Sequence, residues 1–213
     1  MKKLFVFFLP VIFLFSSCIE IVEEITINPD QSGTVSFYTD FGALGGMAVN
    51  LGEKYIQSSL LNQIKSFPET TAGLLKGVKG LSNIKPVTNK KGLYSISFDF
   101  KNYRQLNDAI YKLFDIKKHF YEPGYIKVSK RKIMKKNYAP ILRLYVKKYQ
   151  DQLKDKSMLK LLSYKSIIHF PKEVKRFSNK KSTLSASKKT LEFKCTLEEL
   201  LSAGTNIGNK VKY

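Results

Sequence analysis

The chain has 213 residues, with 37 Lys and Arg against 17 Asp and Glu, a net charge of +20 and two cysteines. Two cysteines exclude a disulfide framework, and the length allows one domain with a real core or two small ones. The basic field favours anionic partners. Only Arg104, Arg131, Arg143 and Arg176 are arginines, however, and nucleic-acid readers lean on arginine's planar fork. Nucleic acid is therefore not an expected partner. The lysine bias fits diffuse attraction to a charged surface, or the codon bias of an AT-rich genome.

Lys2 and Lys3 precede an apolar run from Leu4 to Phe15. Those residues are too few to cross a hydrocarbon layer of ~30 Å as a helix, and the arrangement is that of a signal peptide. Ser16 and Ser17 supply small residues for a cut, and Cys18 follows directly. "LFSSC" resembles the lipobox of bacterial lipoproteins, with Phe15 where leucine is commoner. The resemblance implies a diacylglyceryl group on the Cys18 thiol and cleavage before it. Residues 1–17 are then a cleaved leader and 18–213 a single α+β domain, whose charge is +20 less the two lysines, or +18. Several acyl chains on one residue give stable membrane anchoring. The alternative is an ordinary leader, with Cys18 a free thiol or a partner of Cys195.

After the anchor, Ile19, Ile21, Glu23, Ile25 and Ile27 alternate, break at "NPDQSG", and alternation resumes at Val35, Phe37, Thr39 and Phe41. This predicts a hairpin with a turn-residue loop. With no Gly/Ser linker after Cys18, the domain should stand within roughly 10 Å of the headgroups, comparable with the ~8 Å Debye length. "FGALGGMAVNLG" lacks the spacing of a phosphate loop and reads as a bend. A helix is expected over residues 53–67, with Ile56, Leu60, Ile64 and Phe67 on one stripe. A second, glycine-weakened one is expected through "ETTAGLLKGVKGL". "IKPVTNKKGLYSISFDF" predicts a second hairpin. The next helix has its buried stripe at Leu106, Ile110, Leu113 and Phe114, opened by a capping box of Asn102 and Gln105.

From Lys112 to Lys165 there are sixteen basic and four acidic residues. Within that region Lys127, Lys130, Arg131, Lys132, Lys135, Lys136, Arg143, Lys147 and Lys148 are the candidate anionic-surface residues. A solvated helix face and a lysine-guarded edge strand explain the same pattern without a ligand. Tyr121, Tyr125, Tyr138, Tyr145 and Tyr149 have the look of a base-stacking platform, but suit half-buried strand and helix positions better.

In the last third, strands are expected at Ser166 to Phe170, Lys189 to Cys195 and Asn209 to Tyr213, with a short helical turn capped by Thr196 and Glu199. Cys195 reads as a buried hydrophobe. His119 and His169 sit in no triad or metal spacing, and Asp30 and Asp40 read as turn and strand-end residues. No motif implies a metal, a cofactor or a catalytic residue, so the expectation is a non-enzymatic module.

The opening "C.E....ITIN.D.SG.VSFY.D", the run "HFPKEV" and "TLEFK.TL.ELL" are similar to those of envelope lipoproteins of Bacteroidota and, more distantly, of the LppM-type lipoprotein domain. Residues 18–40, 81–114 and 163–213 carry the likeness. It implies an α+β domain, a curved antiparallel sheet of hairpins with two to four helices packed on it, and a role in handling envelope lipids or glycolipids. It carries over no catalytic residue, and the carboxy-terminal membrane helix of some relatives is missing here. Expected partners are the membrane through lipidated Cys18, and anionic phospholipid, lipopolysaccharide or acidic glycan at the lysines. The alternative is a subunit of an envelope protein assembly with a merely solvated basic face. Ile19 after Cys18, in place of the aspartate that retains enteric lipoproteins at the inner membrane, favours the outer membrane.

Overall fold

The computed structural model describes residues 19–40, 58–88, 93–116, 124–150 and 156–213. The leader, Cys18, the glycine-rich bend, the turn at residues 89–92, His119 and Tyr121 lie outside them. The fold is α+β. Among the described residues there are two sheets and five helices, and each sheet has two free edges.

Strands β1 (Ile19–Ile27) and β2 (Gly33–Asp40) form the expected hairpin, whose loop is tightened where the Ser32 amide and hydroxyl donate to Asp30 Oδ1 at 3.0 and 2.6 Å. These bonds hold the Asp30 carboxyl below its usual range. A second hairpin, β3 (Leu81–Thr88) and β4 (Tyr94–Phe100), joins β2 through β4. On the other side of β1 lie β7 (Leu162–His169), β10 (Thr190–Thr196) and the short β9 (Thr183–Leu184). The order β3-β4-β2-β1-β7-β10-β9 is antiparallel except at β1 and β7, which run parallel. The sheet is thus mixed, where hairpin alternation alone predicts an antiparallel one. Local turns cannot reveal a partner more than a hundred residues away.

Register lines up residues in rows across the inner face. Phe98, Val35, Ile25, Ile168 and Leu191 make one wholly apolar row. The next is Ile96, Phe37, Glu23, Ser166 and Phe193, and the third is Tyr94, Thr39, Ile21, Tyr164 and Cys195. Cys195 is buried, and burial with the nearby Glu199 carboxylate pushes its thiol up to about 11, the state of an inert core residue.

The two helices expected between the hairpins are one helix, α1 (Ser58–Lys76), which runs through Pro68. Its sheet-facing stripe is Pro68, Thr71, Ala72 and Leu75, at helical spacing, with Phe67 left partly exposed. Helix α2 (Tyr103–Leu113) follows, with Leu106 and Ile110 buried. Its start differs from a capping box: Asn102 Oδ1 accepts from the Arg104 amide, but the Gln105 side chain accepts from the Lys101 amide.

A second sheet, ordered β5-β6-β11-β8, is built from β5 (Ile126–Ser129), β6 (Lys132–Lys135), β11 (Asn209–Lys212) and β8 (Arg176–Phe177). Ile126, Val128, Ile133 and Val211 form its buried side. Helix α3 (Ala139–Gln150) packs on α5 (Leu197–Leu201), and a single turn, α4 (Met158–Leu161), leads into β7. The capping box on α5 is complete, Thr196 and Glu199 each bonding the other's amide.

Candidate binding cavity and cationic face

Glu23 and Lys135 occupy inward phases of β1 and β6, the positions that their neighbours Ile25 and Ile133 fill with apolar side chains. Both are buried. The Lys135 ammonium donates to Glu23 Oε2, to Ser166 Oγ at 2.7 Å and to Tyr164 Oη at 3.2 Å. Tyr164 and Ser166 in turn donate to Glu23 Oε2, at 2.6 and 3.1 Å. All three ammonium hydrogens are therefore engaged, and the cluster is neutral overall. Burial alone would push the ammonium down. The Glu23 carboxylate outweighs it and holds Lys135 above its usual value, while burial and that same carboxylate push the Tyr164 phenol up.

Lys135 thus leaves the set of anionic-surface candidates. Its place in a run of basic residues suggests an exposed side chain, but strand period two turns it inward with Ile133, and only 1% of the side chain is exposed.

Beside this cluster, between the first sheet and helices α1 to α3, lies a cavity of about 560 Å³. Phe37, Ile110, Phe114, Leu142 and Ile207 make its apolar wall, and Tyr125 and Tyr138 meet edge-on across 4.9 Å. These two tyrosines are buried cavity residues, not a stacking platform. Ile21 and Phe67, 42% and 37% exposed, line it where it reaches solvent. Gln63, Ser66 and Thr70 recur at one-turn spacing along the α1 edge of the cavity. Glu23 is the one charged side chain in the lining, and no Lys, Arg or His reaches it among the described residues. Thr39 also contributes to the lining, but its Oγ1 is shut off from solvent and cavity alike and has no hydrogen-bond partner among the described residues.

The outward side of the second sheet is cationic. Lys127 and Lys132 are exposed on β5 and β6, with Lys130 and Arg131 at their turn. Strand β11 adds Lys210 and Lys212, the latter opposite Lys132 and, on its other side, Arg176 of β8. None of these seven has a carboxylate within ion-pair distance among the described residues. Lys210, Lys212 and Arg176 are missing from the sequence-derived candidates, being remote in the chain. The available signal was alternation in "NKVKY". Lys136 is exposed, and Lys147 and Lys148 are exposed on α3, a different element. Arg143 is half-buried and donates to the Leu200 and Ser202 carbonyls at 3.2 and 2.6 Å, capping α5.

Acidic residues gather elsewhere. On the outer face of the first sheet Glu20 pairs with Lys194 and Lys165, Lys165 with Glu192 at 3.1 Å, and Glu24 with His169 Nε2 at 2.7 Å. His169 also contacts Thr190 Oγ1 at 3.0 Å, so it is a hydrogen-bonded strand-end residue. Among the described residues no group of three or more His, Cys, Asp and Glu could hold a metal, and no helix is long and apolar enough to cross a membrane.

No family model and no curated protein matches the chain, so the likeness to lipoproteins of Bacteroidota gains no support from those comparisons. Among solved structures, the folded domain of the Mycobacterium tuberculosis LppM protein is similar over 92% of this chain and 88% of that one, at 9% identity and a TM-score of 0.41.

Proposed function

We propose that the chain is a bacterial envelope lipoprotein, anchored through Cys18, that acts as a non-enzymatic binding module and lays its second sheet on an anionic surface. That surface is phospholipid, lipopolysaccharide or another acidic glycan, and the outer membrane is the favoured address. The observation that carries this reading is the cationic face, built from three separate chain segments without a carboxylate partner among the described residues. Each Lys or Arg near an anionic leaflet contributes about 1 kcal/mol, so several on one flat face act together. Among the described residues, the amine–hydroxyl pair of Lys135 and Ser166, 2.7 Å apart, is unsuited to catalysis. A base must be free to take a proton, whereas this ammonium is kept charged by Glu23 and neither it nor Ser166 lines the cavity.

The test uses protein carrying Cys18→Ser, which removes the anchor. It should co-sediment with vesicles containing phosphatidylglycerol at low salt and leave them as salt rises. Lys132→Glu with Lys212→Glu should weaken that binding at least tenfold. Equal binding to phosphatidylcholine vesicles overturns the reading.

A second reading, a subunit of an envelope assembly, is favoured by Leu144 and Leu161, which are 69% and 51% exposed. Crosslinking in cells with a photoreactive residue at position 144 should then capture one reproducible protein; recovery of lipid or glycan alone counts against it.

A further inference from the structure

We infer that the cavity between the first sheet and α1 is a binding site for an uncharged single-chain amphiphile, one acyl chain carrying a hydroxyl or ester head. Its volume of about 560 Å³ is in the ~300–1,000 Å³ range of small-molecule sites, and its wall is overwhelmingly apolar. The charge of the lining is what selects the head. A chain of net charge +20 places no cation there among the described residues, and the one charged lining group is an acid, Glu23. Lys135 offers no substitute, since each of its three hydrogens is already given to Glu23, Ser166 or Tyr164. A fatty-acid carboxylate or a phosphate monoester entering this space would lose its water beside the carboxylate end of a neutral ion pair, with no free cation or lysine hydrogen in the lining to receive it.

A neutral head meets a different environment. The Glu23 carboxylate in the lining can accept a hydrogen bond from a head-group hydroxyl. Gln63, Ser66 and Thr70 on the edge of α1 supply uncharged donors and acceptors. The two binding features therefore discriminate in opposite senses: the second sheet attracts negative charge and the cavity turns it away. Neither depends on the other.

Protein isolated from cell envelopes, stripped of co-purified lipid and titrated at pH 8 under native mass spectrometry, tests this with 1-monooleoylglycerol and oleate as probes. A one-to-one complex is expected with 1-monooleoylglycerol, and binding of oleate at least tenfold weaker. Gln63→Leu, which removes an uncharged donor and acceptor from the rim, should weaken 1-monooleoylglycerol by about three- to tenfold and leave oleate unchanged. Thr70→Trp, at an exposed position of the rim, should block both probes. Oleate binding as tightly as the neutral probe overturns the inference, as does a 1-monooleoylglycerol complex indifferent to both substitutions. Either failure leaves the vesicle result untouched, so loss of the cavity ligand and loss of the surface role are separately visible.

Discussion

Glu23 and Lys135 lie 112 residues apart in the chain and share one buried contact. Removing one partner of such a pair strands the other charge, at a cost of ~3–5 kcal/mol, whereas replacing both by apolar residues is close to neutral. Glu23→Ala should accordingly lower stability by about that amount, and Glu23→Leu with Lys135→Met by far less, as read from urea midpoints. A smaller loss from the single variant than from the double would mean that the two charges do not depend on each other. The pH dependence follows from the raised Lys135 and Tyr164 values. The unfolded chain releases these protons near pH 10, before the folded chain does. Stability should therefore hold from pH 7 to 9 and fall above about pH 10, more gently in the double variant, in urea titrations across that range. Half of this pair was legible in the sequence. Glu23 breaks the inward series of Ile21, Ile25 and Ile27, and a carboxylate in that phase demands a partner. Lys135 was hidden among other lysines, and only the packing of the second sheet against the first distinguishes it from Lys132.

Hairpins and short strands can be read from alternation and turn residues because both signals are local; β2, β4 and β10 lie where period two puts them, while β7 begins at Leu162, four residues before the expected Ser166. Propensity divides helix α1 into two, because its glycines disfavour helix, yet Pro68 is buried in the stripe that packs on the sheet, and that burial overrides propensity. The β1–β7 pairing and the cavity have no local signature, since both depend on how distant elements stack. One glycine marks how tightly the first sheet closes. A Cβ on Gly33 would come within 2.0 Å of the Thr26 carbonyl oxygen and 2.6 Å of the Phe100 ring, and backbone on one side cannot yield as a side-chain tip can. Gly33→Ala should cost about 1–3 kcal/mol, while Thr196→Ala, which opens the α5 capping box, should cost about 1. Equilibrium unfolding checks both, and the order matters: a Gly33→Ala protein as stable as wild type would mean that the β1–β2 end is looser than this register requires.

Over the whole molecule, the composition disclosed the surplus of positive charge but not its partition. Folding pairs Glu20 and Glu192 with lysines, and Glu24 with His169, on the outer face of the first sheet, and lines up Lys127, Lys132, Lys210, Lys212 and Arg176 on the second. Salt then acts in two opposed ways. It weakens the ion pairs of the first sheet, but exposed pairs contribute only ~0–1 kcal/mol each. It also screens the mutual repulsion of the second sheet's cations, which grows with every like charge on the face. Between about 10 and 150 mM salt the Debye length falls from ~30 to ~8 Å, so neighbouring strands stop sensing much of each other's charge. Repulsion among the cations outweighs attraction within the exposed pairs, and the melting temperature should rise over that interval. Lys132→Glu with Lys212→Glu should raise it at low salt and flatten its salt dependence. These shifts run opposite to the effect of salt expected on vesicle binding, because the charges proposed to draw the molecule toward an anionic surface are the ones that repel one another in free solution. Circular dichroism melts of the two proteins at both salt concentrations decide the point: a melting temperature that falls with salt in the wild type would mean that the paired carboxylates of the first sheet, and not the cations of the second, dominate the electrostatics of the fold.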